Sequence, residues 1–239
     1  MKRLGCFCLL LLTLLLRSAT AQATPPSPEL MLKLAAYAAN FELQRTHACY
    51  AVEGHLDLLD GDGKVDSNKE LKGHVDADGT DARLTVISYF EDGKDKTEDG
   101  IKEARESARK SREKRDAKKG IRIPIRADEQ GRYVFDQVET DGQDLTRVLL
   151  TFVPKERTAE TIEGSAWVDA ATGTIFSASF KLSRPPMFVD FVFFSLEFGV
   201  PTALGPAVSK VSIEGKGGIL FLRKHFRATA NLSDYRIVP

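Results

Sequence analysis

The segment Gly164-Ser165-Ala166-Trp167-Val168-Asp169-Ala170-Ala171-Thr172-Gly173-Thr174-Ile175-Phe176 sets two β-type runs on either side of Asp169-Ala-Ala-Thr-Gly173. An Asp bonds its own backbone two residues on, and a Gly accepts the left-handed conformation that closes such a loop. The segment therefore reads as a β-hairpin. Beyond the turn, Thr174, Phe176, Ala178, Phe180 and Leu182 alternate with Ser177, Ser179 and Lys181, one apolar face against one polar face. A loop from Ala170 to Gly173 puts Asp169 opposite Thr174 and Trp167 opposite Phe176. A loop one residue shorter puts Val168 there, because one residue of slip reverses the faces. The longer loop is the expectation, since loops of that length often close on a left-handed Gly.

The rest of the chain extends this pattern in both directions. From Cys49, short alternating runs are separated by Gly/Asp turns at Asp60-Gly61-Asp62-Gly63, Asp76–Thr80 and Asp141-Gly142. Such spacing is that of an antiparallel meander. Ile121 to Ile125 reads as an edge strand interrupted by Pro124, since Pro has no N–H for a ladder. Met187 to Phe198 carries apolar residues on both faces and reads as a doubly buried strand. Val208–Ile213 and Ile219–Phe226 read as a last hairpin through Gly215-Lys216-Gly217-Gly218.

Two helices are expected. Ser27 before Pro28 fits an N-cap and first-turn Pro, and Leu30, Leu34, Tyr37, Ala38 and Phe41 then recur at helical spacing. The second lies in the charged insertion 93–120. From Ile101 to Lys119 it has nine Lys/Arg and four Asp/Glu, a balance of +5, and almost no apolar face. A solvated surface helix is the expectation; a basic arm for anionic headgroups through Arg109, Lys110, Arg112, Lys114 and Arg115, or a lid, is the alternative. No aromatics interleave with these charges, and the formal net charge of the 239-residue chain is +0, so a nucleic-acid partner is not expected.

Residues 1–23 read as a secretory leader: Lys2 and Arg3, an apolar run from Leu4 to Leu16, then cleavage after Ala21 or Ala23. The run is short for a membrane span, which makes a retained anchor the lesser alternative. Removing the leader takes Cys6 and Cys8 and leaves Cys49, so no internal disulfide is available to the exported unit 24–239.

Catalytic and metal signatures are sparse. The acidic run Asp57, Asp60, Asp62, Asp66 fails as a calcium loop, because aligning Gly63 with the required Gly puts Leu58 and Lys69 at ligand positions. The histidines 47, 55, 74 and 225 lack ligand spacing, and His47 with Cys49 on one strand face would need outside ligands. No nucleophile elbow, zinc-protease motif or P-loop occurs, so neither enzymatic activity nor a cofactor is expected. What stands out is a surplus of apolar strand faces over helix to cover them. Such a sheet either pairs with a second one or leaves a cavity for an apolar ligand.

Signal peptide, amphipathic helix, antiparallel meander, and then Gly164-x-x-Trp167-Val168-Asp169-x-x-Thr172-Gly173: in this order of elements the chain resembles the periplasmic outer-membrane lipoprotein-sorting (LolA-like) family. The resemblance implies an α+β, mostly antiparallel fold: a single strongly curved sheet, an open half-barrel, with the N-terminal helix plugging its concave face; the one charged surface helix, in 93–120, is read from the residues and departs from the family's plain pattern. It further implies a periplasmic carrier or binding protein for lipid or lipoprotein acyl chains, held between sheet and plug. Candidate lining residues, chosen from the strand faces, are Trp167, Phe176, Phe180, Phe152 and Phe194. The alternatives are a ligand-free interaction module of the envelope and an exported hydrolase.

Overall fold

The computed structural model describes residues 23–79, 81–113, 121–219 and 222–238. Residues 1–22 of the expected leader and the two basic positions Lys114 and Arg115 lie outside the described residues. Two helices, α1 (Pro28–His47) and α2 (Thr97–Glu113), accompany β1 (Ala48–Leu59), β2 (Val65–Asp78), β3 (Asp81–Glu91), β4 (Lys94–Asp95), β5 (Tyr133–Thr140), β6 (Arg147–Pro154), β7 (Ile162–Asp169), β8 (Ile175–Leu182), β9 (Val189–Val200), β10 (Ala207–Ile219) and β11 (Leu222–Ile237). All eleven strands form one sheet in the order β4-β3-β2-β1-β11-β10-β9-β8-β7-β6-β5, and every pairing is antiparallel. The sheet is open: β4 ends one side and β5 the other. Only β1 and β11 are neighbours without being consecutive, so two meanders meet there. The charged insertion therefore carries the chain from one edge of the sheet to the other.

Register assigns the faces, because directly paired residues in a sheet point the same way. One row runs Phe135, Phe152, Gly164, Phe180, Phe194, Ile213, Ala228, Leu56, Lys69 and Glu91, one residue per strand from β5 to β3. α1 lies on this side. Its Leu30, Leu34 and Tyr37 pack in a core with Tyr133, Val148, Leu150, Phe152, Ile162, Ala166, Val168 and Ile175. Ser27 caps it as expected, its Oγ accepting from the Leu30 N–H at 3.2 Å. The far end is pinned by polar contacts to the 201–206 loop. Tyr37 Oη donates to the Pro206 carbonyl at 2.9 Å, and buried Gln44 donates to the Gly205 carbonyl at 2.8 Å.

The central hairpin has the expected loop. Asp169 N–H donates to the Thr174 carbonyl at 2.8 Å and Asp169 Oδ1 accepts from Ala171 and Thr172. Gly173 takes φ +75°, and a Cβ there would lie 2.6 Å from Lys33 Cβ of α1, so the turn docks on the helix as well as reversing the chain. Gly173→Ala is expected to cost about 2–3 kcal/mol, combining a left-handed penalty of ~1–2 kcal/mol with overpacking. Chemical denaturation measures it; a loss below about 0.5 kcal/mol would mean that the docking contact is soft.

Four expectations change. A bulge between Trp167 and Val168 sets Val168 opposite Ile175 and Trp167 opposite Ser177, so Trp167 does not face Phe176. β9 is covered on one side only: Phe194 and Phe198 join the α1 side, whereas Phe191 and Phe193 are 37% and 46% exposed. The glycines 215–218 are not a turn but part of β10, where a Cβ on Gly215 would strike the Phe226 ring and one on Gly217 the Phe188 carbonyl. Residues 121–123 are irregular and 124–125 enter a turn, so no edge strand forms there. Pro124 offers no N–H, and the Arg122 guanidinium is drawn to Glu160 at 2.8 Å and Glu129 at 3.1 Å. The edge is β5, closed at one point by the Thr24–Gln137 bridge.

Candidate functional site

The two helices cover the same face of the sheet with opposite results. α1 presents Leu, Tyr and Phe side chains and leaves its half filled, with Leu34 at 0% exposure. α2 presents Gly100, Ala104, Ser107 and Ala108 to β1, β2, β3 and β11. Small side chains cannot reach the sheet floor, and a groove of about 800 Å³ remains beneath the helix. Its floor is apolar: Val52, Leu56, Leu71, Leu84, Val86 and Ala230 line it. Gly54, in mid-floor between Leu71 and Ala230, leaves it deeper still. A second groove of about 580 Å³ runs along the other flank of α2, over Ala82–Val86.

α2 is held close by specific contacts. Asp95 Oδ1 accepts from the Thr97 N–H at 2.9 Å and from its hydroxyl at 2.7 Å. These bonds hold the Asp95 carboxyl below the usual carboxylate range. Thr97 Oγ1 in turn accepts from the Tyr89 N–H at 3.1 Å, tying the helix start to β3. Gly100 lets the backbone approach Tyr89, where a Cβ would sit 2.7 Å from the tyrosine Cβ. The expected solvated helix is observed, most of its described side chains exposed, and it has in addition a sheet-facing side that the sequence did not announce. Its inward side is a stripe of small residues, invisible to a search for large apolar ones, and its outward side carries the charge, with Glu106 paired to Lys110 at 2.8 Å.

The groove's polar members are few. Lys69 Nζ lies 5.9 Å from the Tyr89 ring centroid and 3.3 Å from Glu91, and these neighbours raise its pKa. His55 and Asp57, paired with each other at 2.8 Å, alternate with Gly54 and Leu56 along β1 and point to the opposite face. No nucleophile–base pair is assembled here among the described residues.

The five aromatic candidates do not come together. Phe152 is core, 5% exposed beneath α1. Phe180 and Phe194 stack at 5.2 Å on the same face, farther along the row that leads through Ile213 and Ala228 into the groove. Trp167, paired with Leu149 and Ser177, points to the opposite face. Phe176 is the bulged residue and lies on that side too, its ring 4.1 Å from the Arg147 guanidinium. Of the basic candidates, Arg109 flanks the second groove and Lys110 is engaged by Glu106.

Among solved structures the chain is similar to a DUF1329-family protein from Desulfovibrio piger, at 12% identity and a TM-score of 0.40, over 90% of this chain and 94% of that one. It is similar also to a domain from Vibrio parahaemolyticus described as an outer-membrane lipoprotein-sorting protein, at 11% identity and a TM-score of 0.40, over 87% and 91%. A chain of the MucA/MucB complex of Pseudomonas aeruginosa shows 9% identity and a TM-score of 0.24, over 86% and 99%. No family model matches the chain, and no curated protein does.

No described helix is long and apolar enough to cross a membrane. The groove itself was out of reach of sequence periodicity. Its walls come from strands far apart in the chain, β1–β3 and β11, and only the meeting of β1 with β11 makes them one floor.

Proposed function

We propose that the chain is a non-enzymatic binding or carrier protein for lipid or lipoprotein acyl chains, working in the cell envelope. The observation that carries this reading is the apolar groove of about 800 Å³ under α2. Burial of an acyl chain is worth about 0.8 kcal/mol per methylene, so a groove that takes even half a fatty chain gives useful affinity. The ligand site is placed under α2 rather than under the N-terminal helix, because the α1 half of the face is already filled by its own side chains. α2 serves as the outer wall of the groove, and its outward basic residues, Arg109 and Lys110 among them, turn toward anionic headgroups as the protein collects or delivers its cargo.

Titration with an environment-sensitive fatty-acid probe tests the proposal. A saturable site, competed by unlabelled fatty acid, is expected. A protein that takes up no probe and yields no lipid on organic extraction would contradict it.

A further inference from the structure

On the opposite face of the sheet, strand register gathers three residues that the groove does not use. Cys49 pairs directly with Asp76 across β1 and β2, and His74, two residues earlier on β2, pairs with Ala51. Because i and i+2 share a strand face, Cys49, His74 and Asp76 point the same way, beside the small Ala51 and flanked by Arg83 and Thr85 of β3 and Arg236 of β11. Their ligand atoms all lie within 4.8 Å of one another. His74 Nε2 is 3.4 Å from Asp76 Oδ1, with the two side chains 41% and 50% exposed. His47, which the sequence sets on one strand face with Cys49, is instead the last residue of α1.

We infer that Cys49, His74 and Asp76 form a binding site for a zinc-type divalent transition-metal ion. Thiolate sulfur, imidazole nitrogen and carboxylate oxygen are the three donor types that zinc takes, at about 2.0–2.3 Å from the ion. At those distances tetrahedral ligand atoms stand roughly 3.5 Å apart, so the observed cluster needs side-chain rotation and no backbone movement. Two neighbouring strands of a central ladder supply a rigid base for it. Thiolate and carboxylate contribute two negative charges, with Arg236 opposite Cys49 on β11 and Arg83 opposite Asp76 on β3 as their cationic neighbours, so the donor set rather than net charge recommends the site. The thiolate selects zinc-like ions over magnesium or calcium, which prefer all-oxygen shells. Three protein ligands leave a fourth position open to water or an outside donor. Metal binding takes the thiolate form of Cys49 and releases its proton to solvent.

Titration of the reduced full chain with cobalt(II), followed by zinc(II) competition, tests the site. The expected result is one equivalent of cobalt with a sulfur-to-cobalt charge-transfer band, bleached by zinc and missing from Cys49→Ser. His74→Ala and Asp76→Asn are each expected to weaken cobalt binding at least tenfold with the circular dichroism spectrum unchanged. A wild-type protein without the band overturns the inference. So does a band that persists at equal strength in Cys49→Ser, since it would then arise from Cys6 and Cys8.

Discussion

Gly54→Phe is expected to weaken binding of an acyl probe about a hundredfold or more while leaving the unfolding midpoint unchanged or higher. A Cβ on Gly54 would meet only Leu71 Cβ at 3.8 Å and the Thr229 carbonyl at 3.9 Å, both ordinary contacts. The backbone therefore accepts the substitution, and the ring enters the groove. Displacing about four methylenes at 0.8 kcal/mol each removes about 3 kcal/mol, slightly over two orders of magnitude in affinity. Replacing a strand-interior Gly by an aromatic residue also removes an entropic cost of the glycine, so stability is not expected to fall. Probe titration and a thermal melt of the same sample read both halves. Equal affinity in the variant and the parent would mean that the groove is not where the chain lies.

Leu34→Ala is expected to do the reverse. Leu34 is fully buried at the centre of the α1 core, and truncation of such a leucine costs about 3–5 kcal/mol through lost burial plus the cavity left behind. At roughly 2–4 °C per kcal/mol for a chain of this size, the midpoint falls by about 10 °C. Below that midpoint, acyl affinity is expected to match the parent, because α1 seals a filled half of the face. If the folded variant lost stability by under about 1 kcal/mol, or lost acyl binding, the core would extend less firmly under α1 than the packing indicates.

The difference between the helices explains what the sequence made legible. α1 announced itself because Leu30, Leu34, Tyr37 and Phe41 are large and periodic, and because Ser27-Pro28 marks its start. The strands were legible from their alternation, and the loop Ala170–Gly173 from Asp169 and Gly173. α2 was seen as a helix but not as a wall, since Gly100, Ala104 and Ala108 give almost no hydrophobic signal. The aromatic candidates followed the strand alternation, and the bulge at Phe176 reversed it for that residue. Glycines at 215–218 looked like a turn because flexibility and close packing use the same residue; here Phe226 and Phe188 need the space. No local pattern reports that Cys49 will meet Asp76 and His74 across a ladder, or that β1 will pair with β11 at the far end of the chain.

Two helices lie over one sheet face, one filling its half and the other leaving a groove for a guest. Photo-cross-linking with a diazirine-bearing fatty acid, mapped by peptide mass spectrometry, tests it most directly. Adducts are expected on peptides holding Leu56, Leu71, Leu84 and Ala104–Ala108, competed by unlabelled fatty acid and lost in Gly54→Phe. Adducts confined to β5–β8, around Val148, Phe152 and Trp167, or none above an unirradiated control, would contradict it.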